Sequence, residues 1–293
     1  MTAQDVRSSL RRKAPRRPAR RGIGISVADF LRWAALTLLV LWLLLPFVPI
    51  VIWSFSFRWT FPDLLPETWS LRAWGYIASP TSQVASAIWD SARIALSVTV
   101  LSVLIAIPAG RALGMYRFPG KGLIEFLILA PNIVPSLTVA LGIQVLFIRY
   151  GLDNTAAGVV LVHLVASMSY AVLVMAGVFA NYDPEAEEVA RTLGANRFQT
   201  FRHVTLPAIF PGIVVASLFS FLISWDQYVS TIIVAGGFVK TLSVLVVAAA
   251  GSGDRAITAA LCIVFVAPAI LVLIVTARYL TGENAAVGGF GRS

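Results

Sequence analysis

The sequence predicts an all-α polytopic membrane protein, with six transmembrane helices and both termini on the cytoplasmic side. The first observation is composition: the 293 residues are 58% hydrophobic and only 13% charged, and the mean hydropathy is +0.83, which points away from soluble domains. The second is the spacing of the charges. Trp33 to Phe57, Ile94 to Gly110, Phe126 to Ile148, Asn154 to Tyr182 and Ala256 to Ala277 hold no Asp, Glu, Lys or Arg, and Ala208 to Gly236 holds only Asp226. All but the second exceed the roughly 18 apolar residues that a crossing helix needs. Runs such as LTLLVLWLLLPFVPIVIW also lack the ten-residue alternation of a membrane barrel. The third is the distribution of basic residues. With an N-in, C-in topology the amino-terminal tail, the Arg111, Arg117, Lys121 segment, the Arg191, Arg197, Arg202 segment and Arg278 fall on the cytoplasmic side, as the positive-inside bias requires.

Taken in order, residues 1–28 read as a disordered basic cytoplasmic tail, because they are rich in Arg, Pro and Ser and have no apolar period. Through Arg32 the chain has nine basic residues against Asp5 and Asp29, so this tail carries most of the net charge of +9. A terminal RRKAPRRPARR run abutting a membrane helix reads as a topology signal and a contact for anionic lipid, not as a nucleic-acid arm. The first span, about 31–54, is too long for a cleaved secretion signal. A segment of about 30 residues follows on the outer side, where Trp59, Trp69, Trp74 and Tyr76 suit the membrane interface.

Further spans are expected at about 88–112, 121–148, 155–180, 208–235 and 257–280, giving a six-helix membrane domain over 29–282 and a tail at 283–293. Pro131 and Pro135 should bend the third span, with Asn132 between them either serving packing or facing a wet cavity. TLSVLVVAAAGSG, between Lys240 and Asp254, is too short to cross and reads as re-entrant or interfacial. The single Cys262 cannot form an intrachain disulfide, and His163 and His203 offer no metal-ligand spacing. Neither a metal site nor catalytic residues are expected.

The passage 183–207 is the exception in this oily chain. Asp183 is a candidate N-cap with Pro184 at the first helical position, and Glu185 and Glu187 sit in the first turn, at the positive helix end. Gly194 should close that helix, Asn196 and Gln199 form a capping-box pattern for a second one, and Pro207 should stop it. Val189, Leu193, Phe198, Phe201 and Val204 are spaced to form an apolar seam between the two helices. A helix-turn-helix DNA reader looks similar. Pinning between two spans, with acids matching bases, favours instead a docking surface facing the cytosol.

The order Glu188-Val189-Ala190, three residues, Gly194, nine residues, Val204-Thr205-Leu206-Pro207 resembles the EAA loop of binding-protein-dependent ABC importer permeases. Val189 and Val204 depart from that family's pattern, both toward similar apolar residues. The resemblance implies the type I ABC importer permease fold and a multi-pass subunit of the bacterial inner (plasma) membrane. It also implies an ATPase-coupling loop involving Glu187, Glu188, Ala190, Gly194, Leu206 and Pro207. Implied partners are an ABC ATPase dimer, a second permease subunit and an extracytoplasmic substrate-binding protein. ATP and Mg would be bound by the ATPase, not by this chain, whose sequence lacks the phosphate-cradling G-x-x-x-x-G-K-[ST] pattern.

In SFLISWDQYVS, Asp226 is the one carboxylate well inside an apolar run, and a buried charge there should face a cavity or a partner. Trp225 and Tyr228, three apart on a helix, would flank it and suit an organic cation through charge pairing and cation–π attraction. The competing reading is a packing cap near the outer surface. The SWDQYV and PNIVPS stretches resemble those of spermidine/putrescine-type permeases, especially the second permease subunit, which implies a polyamine or similar cation and makes Trp225, Asp226, Tyr228 and Asn132 substrate-pathway candidates. The wider subfamily also implies thiamine, ferric iron, opines, aminophosphonates or sugars as alternatives. An ion-driven secondary transporter would show repeated halves and more embedded ionisable groups. An intramembrane enzyme would need paired acids, a Ser/His pair or a metal set on facing spans.

Overall fold

The computed structural model describes residues 27–59, 63 and 65–282. The expected tails, 1–28 except for its last two residues and 283–293, lie outside the described residues. The chain divides into two compact units, residues 1–48 and 49–293. In the first, helix α1 (Val27–Leu44) exposes Leu38, Trp42 and Leu43 alike, as a helix solvated by lipid tails does.

Helix α2 (Phe47–Ser54) starts in the last two residues of the first unit, and the second unit goes on with a small antiparallel pair β1 (Ser56–Arg58) and β2 (Thr68–Trp69) with Ser56 opposite Trp69, and the short α3 (Arg72–Ala78). Then come α4 (Val84–Met115), α5 (Lys121–Ile133), α6 (Ser136–Tyr150) and α7 (Ala156–Ala180). The polar passage supplies α8 (Glu185–Thr192) and α9 (Arg197–Thr200). The chain ends in α10 (Leu206–Asp226), α11 (Val229–Ala235), α12 (Leu242–Ser252) and α13 (Arg255–Gly282). Among the described residues four helices are long and apolar enough to cross a membrane, and the number reaches six if each of two bent pairs is one span.

The bend between α5 and α6 is 100°, far sharper than a kinked but continuous third span. Pro135 has no N–H to extend the first helix, and it holds Val134 in extended backbone (ψ 138°). The expected fifth span is also interrupted: Gln227 (ψ 95°) leaves helical space between α10 and α11. The 11-residue α12 is too short to cross, as expected.

Three long helices, α4, α7 and α10, form the core of the second unit. Ala106, Leu113, Ala171, Val172, Met175, Phe179, Ile209 and Ala216 are buried together at one end. Lipid supplies no hydrophobic drive between helices, so close approach must supply the attraction. Gly110 and Gly114, one helical turn apart, allow it: a Cβ at Gly110 would sit 2.5 Å from Cβ of Met175, and one at Gly114 would sit 2.5 Å from the Ala176 carbonyl oxygen. Both lie at the end of α4 that meets the polar passage.

Candidate functional site

The passage begins where α7 ends. Asp183 accepts the backbone N–H of Glu185 at 2.9 Å, so it caps as expected, although Pro184 occupies the cap position itself. Gly194 closes α8 with φ +92°, donating its N–H to Arg191 O, while the Ala195 N–H reaches Ala190 O, both at 3.0 Å. Asn196 and Gln199 then exchange two 2.9 Å bonds, the capping box that their spacing predicts.

Pro207 does not stop the second helix. From Arg197 to Asp226 the chain is one helical run of 30 residues, entered through α9 and a widened π turn at Phe201–Thr205 in which the Leu206 N–H bonds Phe201 O. That turn shifts the hydrogen-bond register just ahead of the proline. The missing proline N–H and its ring then sit at the first turn of α10, where proline is tolerated.

The expected apolar seam is also absent. Leu193 is 83% exposed and Phe198 68%, with Val189 exposed too. What joins the passage to the membrane helices is charge. Glu187 is 3% exposed, and its carboxylate accepts Arg111 Nη1 at 2.9 Å and Nη2 at 2.8 Å, the Thr205 hydroxyl at 2.7 Å and Arg191 Nη2 at 3.3 Å. Hydrogen bonds from Arg111, outweighing the cost of burial, with help from Thr205, hold this carboxyl down at about 2. Arg111 comes from α4, and its guanidinium lies 5.9 Å from the Phe179 ring centre of α7. A single carboxylate thus ties α8 to α4 and, through Thr205, to the start of α10.

With Glu187, Thr200 and Thr205 turned inward, the passage presents Val189, Leu193 and Phe198 outward among exposed polar groups. Ala190, Leu193, Gly194, Ala195, Gln199, Thr200, His203 and Val204 line an open groove of about 460 Å³. Glu188 is exposed beside it, Leu206 is half-buried and Pro207 is exposed. A surface of this kind, apolar at its centre and polar at its rim, fits a protein partner.

A model of the family described as the binding-protein-dependent transport system inner membrane component matches residues 102–281. The chain belongs to this family. It is an inner-membrane ABC importer permease, a transport subunit and not an enzyme. The permease is 30% identical over 166 residues to the molybdate/tungstate transport system permease protein of Thermococcus kodakarensis, a match covering 56% of this chain and 65% of that one. It is 31% identical over 229 residues to the molybdenum transport system permease protein of Mycobacterium tuberculosis, covering 73% and 86%. A chain of a bacterial ABC transporter involved in import of the acidic polysaccharide alginate shares its fold, with a TM-score of 0.63, 19% identity and coverage of 89% and 99%. A second structure, of the bacterial alginate ABC transporter in complex with an alginate pentasaccharide-bound periplasmic protein, aligns with a TM-score of 0.61 and 16% identity over 87% of this chain and 96% of that one.

The residues singled out for cargo are not brought together as the sequence suggests. Trp225 is buried at 4% exposure, its ring stacked between Phe221 and Phe265 at 5.6 and 6.0 Å and its Nε1–H donating to Phe265 O at 3.0 Å. Asp226 is the last residue of α10 and is exposed. The break at Gln227 separates Trp225 from Tyr228, so the two aromatics do not share a helical face. Asn132 lies elsewhere, one residue before the end of α5, with its Nδ2 buried and no hydrogen-bond partner.

A second open cleft, of about 790 Å³, lies between the hairpin segment and the start of α13, lined among others by Trp53, Phe57, Arg58, Arg72, Asp254 and Arg255. Arg72 clasps both Asp254 oxygens at 3.0 and 2.8 Å. Burial works against the Asp254 charge, but those bonds prevail and keep the carboxyl below its usual range.

Sequence reading missed Arg111 and Thr205, which stand 76 and 18 residues from Glu187. The one local signal was the Glu187–Arg191 spacing of four on a helix.

Proposed function

We propose that the permease forms half of a translocation pathway and is driven by a cytosolic ABC ATPase that docks on the passage 183–207. The observation that carries this reading is the division of that passage, with Glu187 clasped inward by Arg111 while Leu193, Phe198 and the groove around Gly194 remain open. Glu187 then serves as the anchor, Glu188 and Ala190 as contact residues, Gly194 as the turn, and Leu206 with Pro207 as the entry to the moving helix. Nucleotide-driven closure of two ATPases would rock the helices between two states of similar free energy. ATP and Mg are held by the partner in this scheme. Residues 29–282 are the membrane domain, with both flanking tails cytoplasmic, and a second, similar permease completes the pathway as a heterodimer. The cleft at Arg72–Asp254 faces outward and offers its surface to an extracytoplasmic binding protein.

The test is Gly194→Val. A β-branched residue is strained at φ +92°, so the variant should lose ATPase co-purification and ATP-driven uptake together. Unchanged assembly and uptake would remove the docking assignment.

For cargo, the exposed carboxylate of Asp226 at the end of α10 supports a small cation of the polyamine type, with Tyr228 and Asn132 as further pathway candidates; burial of Trp225 leaves it a supporting role behind Asp226. An oxyanion is the second reading, favoured by the molybdate and molybdenum transport named for two relatives. Uptake of labelled spermidine and of molybdate, each by wild type and Asp226→Asn, separates them. Loss of spermidine uptake in the variant supports the cation, and molybdate uptake indifferent to the variant supports the oxyanion.

A further inference from the structure

The break between α10 and α11 is packed against a buried imidazole. Gln227 leaves helical space, yet its carbonyl is not wasted: it accepts the Thr231 hydroxyl at 2.5 Å and the Ser243 hydroxyl at 3.4 Å, while its side-chain oxygen accepts the Ser230 hydroxyl at 2.7 Å. Behind these groups stands His163 of α7, 1% exposed. Its Nδ1 lies 3.0 Å from the Ser224 hydroxyl, on the last turn of α10, and its Nε2 lies 2.9 Å from the Thr231 hydroxyl, on α11. The ring therefore spans the break, with one nitrogen on each side.

The hydrogens in this network can be counted. A threonine hydroxyl has one proton, and that of Thr231 is directed to Gln227 O. Thr231 must then accept from His163, which places the ring proton on Nε2. A neutral ring so protonated offers a lone pair at Nδ1, and Ser224 donates to it. Each group is satisfied without a formal charge, which apolar surroundings demand. A histidine that only filled space would need neither match.

We infer that His163 is a positioning residue that fixes the break between Asp226 and Val229, setting the direction in which Asp226 and Gln227 are presented. The inference concerns the permease chain itself and stands whether or not the ATPase and cargo readings hold.

Ring nitrogen NMR on the full-length chain in lipid nanodiscs tests the proton placement, with spin-label distances between Phe219→Cys and Ile233→Cys, in a Cys262→Ser background, reporting the break. Wild type should show the neutral Nε2–H tautomer and one narrow distance distribution. Thr231→Val removes the acceptor at Nε2 and should move the proton to Nδ1, where Ser224 accepts it. His163→Phe should broaden or shift the distance distribution, and His163→Gln, which keeps a donor and an acceptor, should restore it at least in part. A wild-type Nδ1–H tautomer would overturn the proposal. So would a proton unmoved by Thr231→Val, or an unchanged distance distribution in His163→Phe. If His163→Phe does not fold, the Thr231→Val tautomer decides alone.

Discussion

The two polar nodes of this permease, at Glu187 and at His163, hold opposite ends of the α10 run: the first ties α8 and α4 to its start, and the second ties α7 and α11 to its last turn. Glu187 meets Arg111, Arg191 and Thr205; His163 meets Ser224 and Thr231. The first uses full charges and the second none. The difference follows from what surrounds them. Arg111 keeps 27% of its side chain exposed, so its charge is not fully desolvated. His163 lies within a helix whose sequence is almost wholly apolar, where an ion would incur a much larger desolvation cost. Strong, salt-like attachment is used where the chain leaves the membrane, and matched neutral hydrogen bonds where it does not.

The most damaging way to break this comparison is to disturb the close approach of α4 and α7 beside the charged node. Gly110→Leu drives a side chain into Met175, and overpacking of this kind should cost roughly 3 kcal/mol or more, read as loss of monodisperse protein on size-exclusion chromatography. Next is Glu187→Ala, which leaves Arg111 half-buried and without its carboxylate, at a cost of about 2 to 3 kcal/mol. Thermal unfolding in detergent measures it, and Arg111→Ala combined with Glu187→Ala should cost less than the two single changes added together.

The charged node also carries a pH signature. Its carboxyl is held below the ordinary 4.5, at about 2, so its stabilising contribution is complete above about pH 4.5 and is lost as the pH falls toward 2. In Glu187→Gln the fall in thermal midpoint across that interval should be shallower than in wild type. Smaller still is Gly194→Val, where strain at positive φ should cost about 1 to 2 kcal/mol. Leu193→Ser, at the exposed surface, should change stability by less than about 0.5 kcal/mol while weakening ATPase capture. If capture is unaffected, the outward apolar face is not the docking surface.

Much of this was legible in the sequence where the physics is local. The Asn196–Gln199 box, the Gly194 turn and the Asp183 cap depend on residues within three or four positions, and their types specify the geometry. The bend at Pro135 was foreseen in place but not in size, because neighbouring helices set how far a freed backbone turns. Pro207 was misread as a stop because a π turn upstream has no side-chain signature. The pairing of Trp225 with Tyr228 failed for a related reason: no proline or glycine announces the break at Gln227, which is held by groups on other helices. Arg111 was legible only as a basic residue on the expected inner side, since its carboxylate partner lies far along the chain.

The helical run from Arg197 to Asp226 has a mechanical consequence. Thirty residues at about 1.5 Å each make a rod of about 45 Å, anchored by its capping box at one end and finished by the His163 network at the other. A tilt of only about 5° at the capped end would swing the far end sideways by about 4 Å, roughly the width of a strand spacing. A lever of that length needs no large stroke at its handle, only stiffness along its shaft.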